Sequence, residues 1–315
     1  MNGLPRACLS CLSKLINLED TRSACERIGP KFTSLVARSG FLLNKMMTSQ
    51  YQGWLSFPCG VPEILYESKE CLVINKPPGI LVQSPPGVPS LVEMLRDFLA
   101  NREQPRTGIY LGVPHRLDRP VTGAILFTRH SRATRRITEQ FESRMIRKIY
   151  WAVVEGCVEP SVGVWRDFVR KIPNEPQAEI VPESHPDARH AVLNYRVIQQ
   201  WENKTWLEIH LETGRMHQIR IQASSRNHAI LGDWQYGSSV DLAPDQRDPR
   251  LKPIALHARE ITFLHPMTFE TLKVIAPLPT YWRKISPVFI QFEATGFHGY
   301  ETGMSKTPDD CSPTT

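Results

Sequence analysis

From about residue 61 to about residue 290 the apolar positions of the chain alternate between a period of two and a helical period. "EILYES" and "CLVINK" are short apolar runs joined by a tight turn, which predicts two strands. The Pro- and Gly-rich "KPPGILVQSPPG" after them predicts a loop. In "SLVEMLRDFLA", Leu91, Met94, Leu95, Phe98 and Leu99 recur at helical spacing behind Ser90 and Glu93, a capping-box pair, so a helix is expected. "GAILFTR" is apolar almost throughout and reads as a buried strand. The following "SRATRRITEQFESRM" reads as a helix capped by Ser131. Thr134, Ile137, Phe141 and Met145 would share one face, and Arg132, Arg135 and Arg136 the opposite one. "KIYWAVVEG", "ARHAVLNYRVIQQW", "KTWLEIHLETG", "PIALHAREITFLH" and "TLKVIAPLP" predict further strands, with too few helices between them for parallel crossovers. The expected class is α+β, a mainly antiparallel mixed sheet flanked by helices and loops.

The ends differ from this middle. Residues 1–60 have no sustained periodicity and are expected to form a poorly structured extension. Glu19, Asp20 and Glu26 count against a transit peptide, because such leaders are poor in acids. Residues 291–315 are polar and are expected to be a disordered tail, leaving 61–290 as the folded domain. With 315 residues, 41% of them hydrophobic, the chain is long enough for a substantial core. No run approaches the roughly 18 apolar residues of a membrane span, so a soluble, cytoplasmic monomer without a membrane partner is expected. The extension leaves an organellar location open. The seven cysteines are scattered and odd in number, which fits a reducing compartment. Cys8 and Cys11 form a CxxC without a second pair at ligand spacing, so no metal is expected there.

Charge sharpens the picture. The chain carries a net +6, and residues 115–150 alone hold nine Arg and Lys against three Asp and Glu. That concentration points to a polyanionic partner. In the same segment, "VPHRLDRPVTG" sets Asp118 between Arg116 and Arg119. Three other polar groups stand at strand ends, where a scaffold commonly presents a site: Tyr150 in "RKIYWAVVEG", then "LETGRMHQIR", then "HAILGDWQYG". Each has a structural alternative. Asp118 would pair with a neighbouring arginine, Tyr150 would be a half-buried strand aromatic, Arg220 a surface helix residue, and Gly232 and Gly237 turn formers. No P-loop or dinucleotide glycine pattern and no HExxH occurs, so no nucleotide cofactor is indicated.

Together these segments resemble the RluA-type family of RNA pseudouridine synthases. The family pattern HRLDxxTSGxLLxA is met by His115, Arg116, Leu117 and Asp118, with "VTGAILFTR" following. KxYxAxVxG is matched by Lys148, Tyr150, Ala152, Val154 and Gly156. TGRxHQIRxH is matched by Thr213, Gly214, Arg215, His217, Gln218, Ile219 and Arg220. "ILGDWQYG" and "LHAREITFLHP" are looser matches, and "VINKPPGILVQ" opens the run where relatives carry NKPxGxxV. Val121 and Thr122 replace the usual Thr-Ser, and Gln222 stands where His is common. An additional N-terminal RNA-binding domain, which many relatives carry, is not found.

The resemblance implies a pseudouridine synthase fold with a central active-site cleft and an RNA substrate, ribosomal or transfer. Asp118 is implied as the catalytic carboxylate, acting at C1′ of the ribose, at C6 of the base, or as a base. Arg220 would be its partner cation, and Tyr150 would stack on the target base and help remove the C5 proton late in the reaction. Such a reaction needs no cofactor. The uridine would have to leave its stack, with Arg116 or His115 filling the gap, while Arg132, Arg135, Arg136 and Arg215 bind phosphates. A catalytically silent RNA-binding or RNA-folding protein is the alternative. A hydrolytic glycosidase would need a second acid near Asp118, for which Glu212 and Asp233 are the candidates.

Overall fold

The computed structural model describes residues 62–289 and 299–303, all within one compact unit, Gly53–Thr315. The expected extension at residues 1–60 lies outside the described residues. Among these, eleven strands form one sheet. In chain order they are β1 (Ile64–Glu67), β2 (Cys71–Lys76), β3 (Thr122–Thr128), β4 (Arg147–Glu155), β5 (Val162–Lys171), β6 (Ala178–Val181), β7 (Arg189–Trp201), β8 (Lys204–Leu211), β9 (Leu256–Leu264), β10 (Thr271–Ile275) and β11 (Gly299–Gly303). Between them lie α1 (Leu91–Glu103), α2 (Ser131–Glu142) and α3 (Gln218–Ser224).

In space the strands run β1-β2-β3-β9-β4-β8-β7-β5-β6, with β10 also on β9 and β11 on β10. The pairing of β3 with β9, Thr122 with His257 and Gly123 with Ala258, is parallel, and the other ladders are antiparallel. That short crossing depends on Gly123. Its φ is +110°, and a Cβ there would sit 2.3 Å from the Ala258 carbonyl oxygen.

Strand alternation divides the core. Leu72 and Ile74 of β2 and Ile125 and Phe127 of β3 join Leu91, Leu95 and Leu99 of α1. The intervening Cys71, Val73, Ala124 and Leu126 join Ile137 of α2 and Ile261 and Phe263 of β9. The two helices therefore cover opposite faces of this part of the sheet. The capping box of α1 is present, with Ser90 Oγ accepting the Glu93 amide and Glu93 accepting the Ser90 amide.

Four details depart from the sequence expectation. The cap of α2 is His130, whose Nδ1 accepts the Ala133 amide at 3.1 Å; Ser131 is already in the helix. The helix ends at Glu142, so Met145 leaves the expected apolar face and is 56% exposed, while Ala133, Ile137 and Gln140 are buried. Gln140 belongs to that face because its amide bonds both the carbonyl and the amide of Leu264, each at 2.8 Å. Strands β5 and β6 lie outside the expected set: in β5, Arg166, Asp167, Arg170 and Lys171 interrupt the apolar signal of a strand that is only partly buried, and β6 is only four residues long. Finally, Gly299–Gly303, expected in the disordered tail, pairs along the whole of β10; backbone hydrogen bonds build this strand without an apolar pattern.

Candidate active site

Asp118 lies in the loop that leads into β3, and that loop is gripped from below. Lys76, at the end of β2, is fully buried, and its Nζ donates to the carbonyls of Pro77 at 2.9 Å, Arg119 at 3.0 Å and Val121 at 2.8 Å. Burial pushes the Lys76 pKa down to about 7, against the opposing pull of the Asp118 charge. The Gly79 amide donates to Arg119 O and Arg119 Nε donates to Gly79 O, both at 2.9 Å. Leu117 is buried, and the Val121 amide closes a turn on Asp118 O at 3.1 Å. These contacts explain why "NKPPG" belongs with the site. Lys76 itself was missed as a functional residue, because a lysine at a strand end gives no sign in the sequence that it is buried.

The Asp118 carboxylate pairs with neither Arg116 nor Arg119, as its structural alternative required. Its Oδ2 lies 3.5 Å from Arg220 NH1 and 3.9 Å from His217 Nε2. Oδ1 has no partner among the described residues. Arg220, on α3, is only 3% exposed and is no surface residue. Its main partner is Asp233, 1% exposed, which receives Nε at 2.6 Å and NH2 at 2.8 Å. NH2 also donates to Gln235 Oε1 at 2.7 Å, and the guanidinium stands 4.8 Å from the centre of the Tyr236 ring. Burial alone would lower the Arg220 pKa, but the bonds to Asp233, with the Asp118 charge behind them, hold it above its ordinary value. Both Asp233 oxygens are thereby committed, and Glu212 Oε1 accepts from Asn194 Nδ2 at 2.7 Å. The second free acid of a glycosidase is not supplied by either candidate.

His217 matches the TGRxHQIRxH pattern, but the sequence assigns it no role. It occupies the left-handed region at φ 51° ahead of α3. Its Nδ1 lies 2.8 Å from Tyr236 Oη, which also accepts the Ala178 amide at 2.9 Å. Tyr236 Oη also lies 3.4 Å from Ala178 O, and Nε2 is the His217 atom that faces Asp118. Burial lowers the His217 pKa and keeps the ring neutral.

Tyr150, in β4 between Ile209 of β8 and Ala258 of β9, is 7% exposed. Burial and then the Asp118 charge raise its pKa. The loop before α3 is braced by Gln218, whose Oε1 accepts from Thr213 Oγ1 at 2.8 Å and from the Arg215 amide at 3.0 Å.

The expected RNA-binding residues divide into two groups. Arg116 is exposed and makes no hydrogen bond or ion pair among the described residues. His115, expected as an alternative gap-filler, is committed instead. Its Nε2 accepts the Leu126 amide at 2.9 Å, its ring lies 4.9 Å from Phe141, and burial with the Lys148 charge lowers its pKa to about 3. Arg132 and Arg135 are exposed on α2, with Arg135 lying 3.6 Å from Glu139. Arg136 is pinned: NH1 donates to Pro266 O at 2.7 Å, and its guanidinium lies over Phe269. Arg215 is exposed and tied through Nε to His190 O at 3.0 Å.

A family profile described as RNA pseudouridylate synthase matches residues 70–225. The Pasteurella multocida protein named ribosomal large subunit pseudouridine synthase D is 34% identical over 69% of this chain and 67% of its own. The chain belongs to the RluA-type RNA pseudouridine synthase family. That membership makes it an isomerase. A Xylella fastidiosa pseudouridine synthase D is 33% identical over 70% of this chain and 68% of its own. The solved structure titled Human RNA Pseudouridylate Synthase Domain Containing 4 has the same fold, with a TM-score of 0.57 at 24% identity over 70% of this chain and 90% of the other. In this pseudouridine synthase fold, the segments holding Asp118, Tyr150, Arg220 and Asp233 converge from four parts of the chain.

Proposed function

We propose that this chain converts uridine to pseudouridine in ribosomal RNA, with Asp118 as the reacting carboxylate. The observation that supports this most directly is the environment of Asp118. Oδ2 faces a buried arginine and the His217 ring, Oδ1 is left for substrate, and the Asp118 charge acts on Tyr150. The reaction breaks the N1–C1′ bond, turns the base and forms a C5–C1′ bond. C5 loses a proton and N1 regains one, so no oxidant or nucleotide is consumed. Attack at C1′, attack at C6 and proton abstraction from the ribose all need an ionised carboxylate, and in each the Arg220 guanidinium stands 3.5 Å from Oδ2. Burial and the Asp118 charge keep the Tyr150 phenol protonated, which suits its ring to stacking on the target base better than to taking the C5 proton.

The target has to leave its stack to reach Asp118, at a cost of a few kcal/mol. Arg116, exposed and unpaired two residues away, is suited to fill the vacated space. Arg132, Arg135 and Arg215 are suited to hold phosphates. The choice of ribosomal RNA rests on the names of the Pasteurella and Xylella relatives. Pseudouridine mapping of ribosomal and transfer RNA, from cells with and without this protein, tests it. Loss of modification at a ribosomal uridine is expected. Losses confined to transfer RNA would overturn the substrate, and no lost site in any RNA would overturn the reaction.

A further inference from the structure

Two residues before Tyr150 on β4, Lys148 extends its ammonium into the space between α2 and the 213–217 loop. Nζ stands 5.6 Å from the centre of the Phe141 ring. On its other side is Gly214, where an added Cβ would meet Lys148 Nζ at 3.6 Å and nothing else within 4 Å. Gly214 is exposed, and its φ lies outside the left-handed region, so its backbone conformation does not call for glycine. What the missing side chain does provide is an open approach to the ammonium.

Lys148 is half-buried, and its Nζ makes no hydrogen bond or ion pair among the described residues. Burial pushes its pKa down. Nearby acids are engaged elsewhere: Glu212 with Asn194, and Glu260 with Arg147 at 2.8 Å. The Asp118 charge acts on Lys76, Tyr150, His217, Arg220 and Tyr236, but Lys148 is shifted by burial alone. A cation held partly out of water without a counter-ion is prepared for an anion from outside the protein. Its place on β4, two residues before Tyr150, sets that anion next to the strand that carries Tyr150.

We propose that Lys148 Nζ, approached across Gly214, is a phosphate subsite that binds one RNA backbone phosphate beside the target uridine and so positions that nucleotide over Asp118. The proposal rests on the reading of Asp118 given above. It is tested by single-turnover pseudouridine formation on total RNA from cells lacking the protein, read at the uridines that the wild type modifies. Lys148→Met keeps the side-chain length without the charge. It should raise the RNA concentration for half-maximal rate about tenfold and make its salt dependence shallower by about 0.7 to 0.9 in slope, with the saturated rate within about threefold of wild type. Gly214→Asp places a carboxylate on Nζ and should raise the half-maximal concentration similarly, but should add less than about twofold on top of Lys148→Met.

An unchanged half-maximal concentration in Lys148→Met would overturn the subsite, as would a collapsed saturated rate at unchanged half-saturation or full additivity of the two changes. If Lys148→Met does not fold, Gly214→Asp decides alone, and unchanged half-saturation there overturns the proposal. A wild type that forms no pseudouridine would remove the reading of Asp118 and this proposal with it. A wild type that is active beside an unaffected Lys148→Met would remove the subsite alone.

Discussion

Arg220 directs two short bonds at Asp233 and one at Gln235, and only a looser one, at 3.5 Å, at Asp118. The arrangement has a physical logic. A buried guanidinium paired only with the reacting carboxylate would lose its counter-ion whenever Asp118 bonded to substrate or took up a proton. With Asp233 as a fixed partner, the cation stays charged and immobile throughout, and Asp118 senses a constant field. Asp233→Asn leaves that cation buried with half its compensation. It should lower stability by about 3 kcal/mol and sharply reduce the single-turnover rate. Urea melts and rate measurements beside Glu212→Gln, an exposed control expected to change stability by less than about 0.5 kcal/mol, check this. Equal melts for the two variants would contradict the role given to Asp233.

At the scale of elements, α2 has a divided character. Its inner face is fixed by Ile137, by Gln140 on Leu264 and by Arg136 on the turn after β9, while Arg132 and Arg135 point to solvent. A helical wheel groups all three arginines together, but a long side chain near one edge of a face can reach back over its neighbour. Arg132→Ala with Arg135→Ala should weaken RNA binding and reduce its salt slope by about one to two units, with no change in melting temperature. Arg136→Ala should instead lower the melting temperature and leave the salt slope close to wild type. Filter binding across a salt series, with thermal melts of both variants, separates these outcomes. The opposite assignment would show that the pinned arginine is the one that meets RNA.

At the scale of the whole molecule, the site depends on the crossing of β3 with β9, and a buried histidine stands there. His257 is fully buried, with Nδ1 2.8 Å from Thr122 Oγ1, and burial, aided by the Arg259 charge, lowers its pKa to about 3. The folded protein therefore holds it neutral, whereas the unfolded chain takes up a proton below the ordinary value of about 6.5. Its contribution to stability is intact above about pH 6.5 and is lost as pH falls toward 3, at up to about 1.4 kcal/mol per pH unit. His257→Gln should be less stable at pH 7 and should lose stability less steeply between pH 6.5 and 5, as read from urea melts. An identical slope in both proteins would show that His257 is not held neutral. Much of this architecture is legible in the sequence. The ordered motifs single out Asp118 and Arg220, which the fold brings to 3.5 Å of each other, and apolar periodicity gives α1, the centre of the sheet and the two faces of β2 and β3. What it does not give is pairing across the chain: Lys76 with the carbonyls of residues 119 and 121, Arg220 with Asp233, and His217 with Tyr236. Those partners are set by tertiary contact and leave no trace in local spacing. For the same reason β11, which depends on a neighbouring backbone, has no strand signal in its sequence.

The central claim is that Asp118 acts as an ionised carboxylate, and Asp118→Asn addresses it most directly. Asparagine has nearly the same size without the charge. RNA affinity, resting on arginines at several phosphates, should stay within about threefold of wild type or rise slightly as a negative charge is removed. Tritium release from RNA carrying 5-tritiated uridine, measured beside filter binding on the same protein, reads both properties together. The account predicts no detectable release with binding retained; near-normal release would contradict it and leave Asp118 as a structural residue.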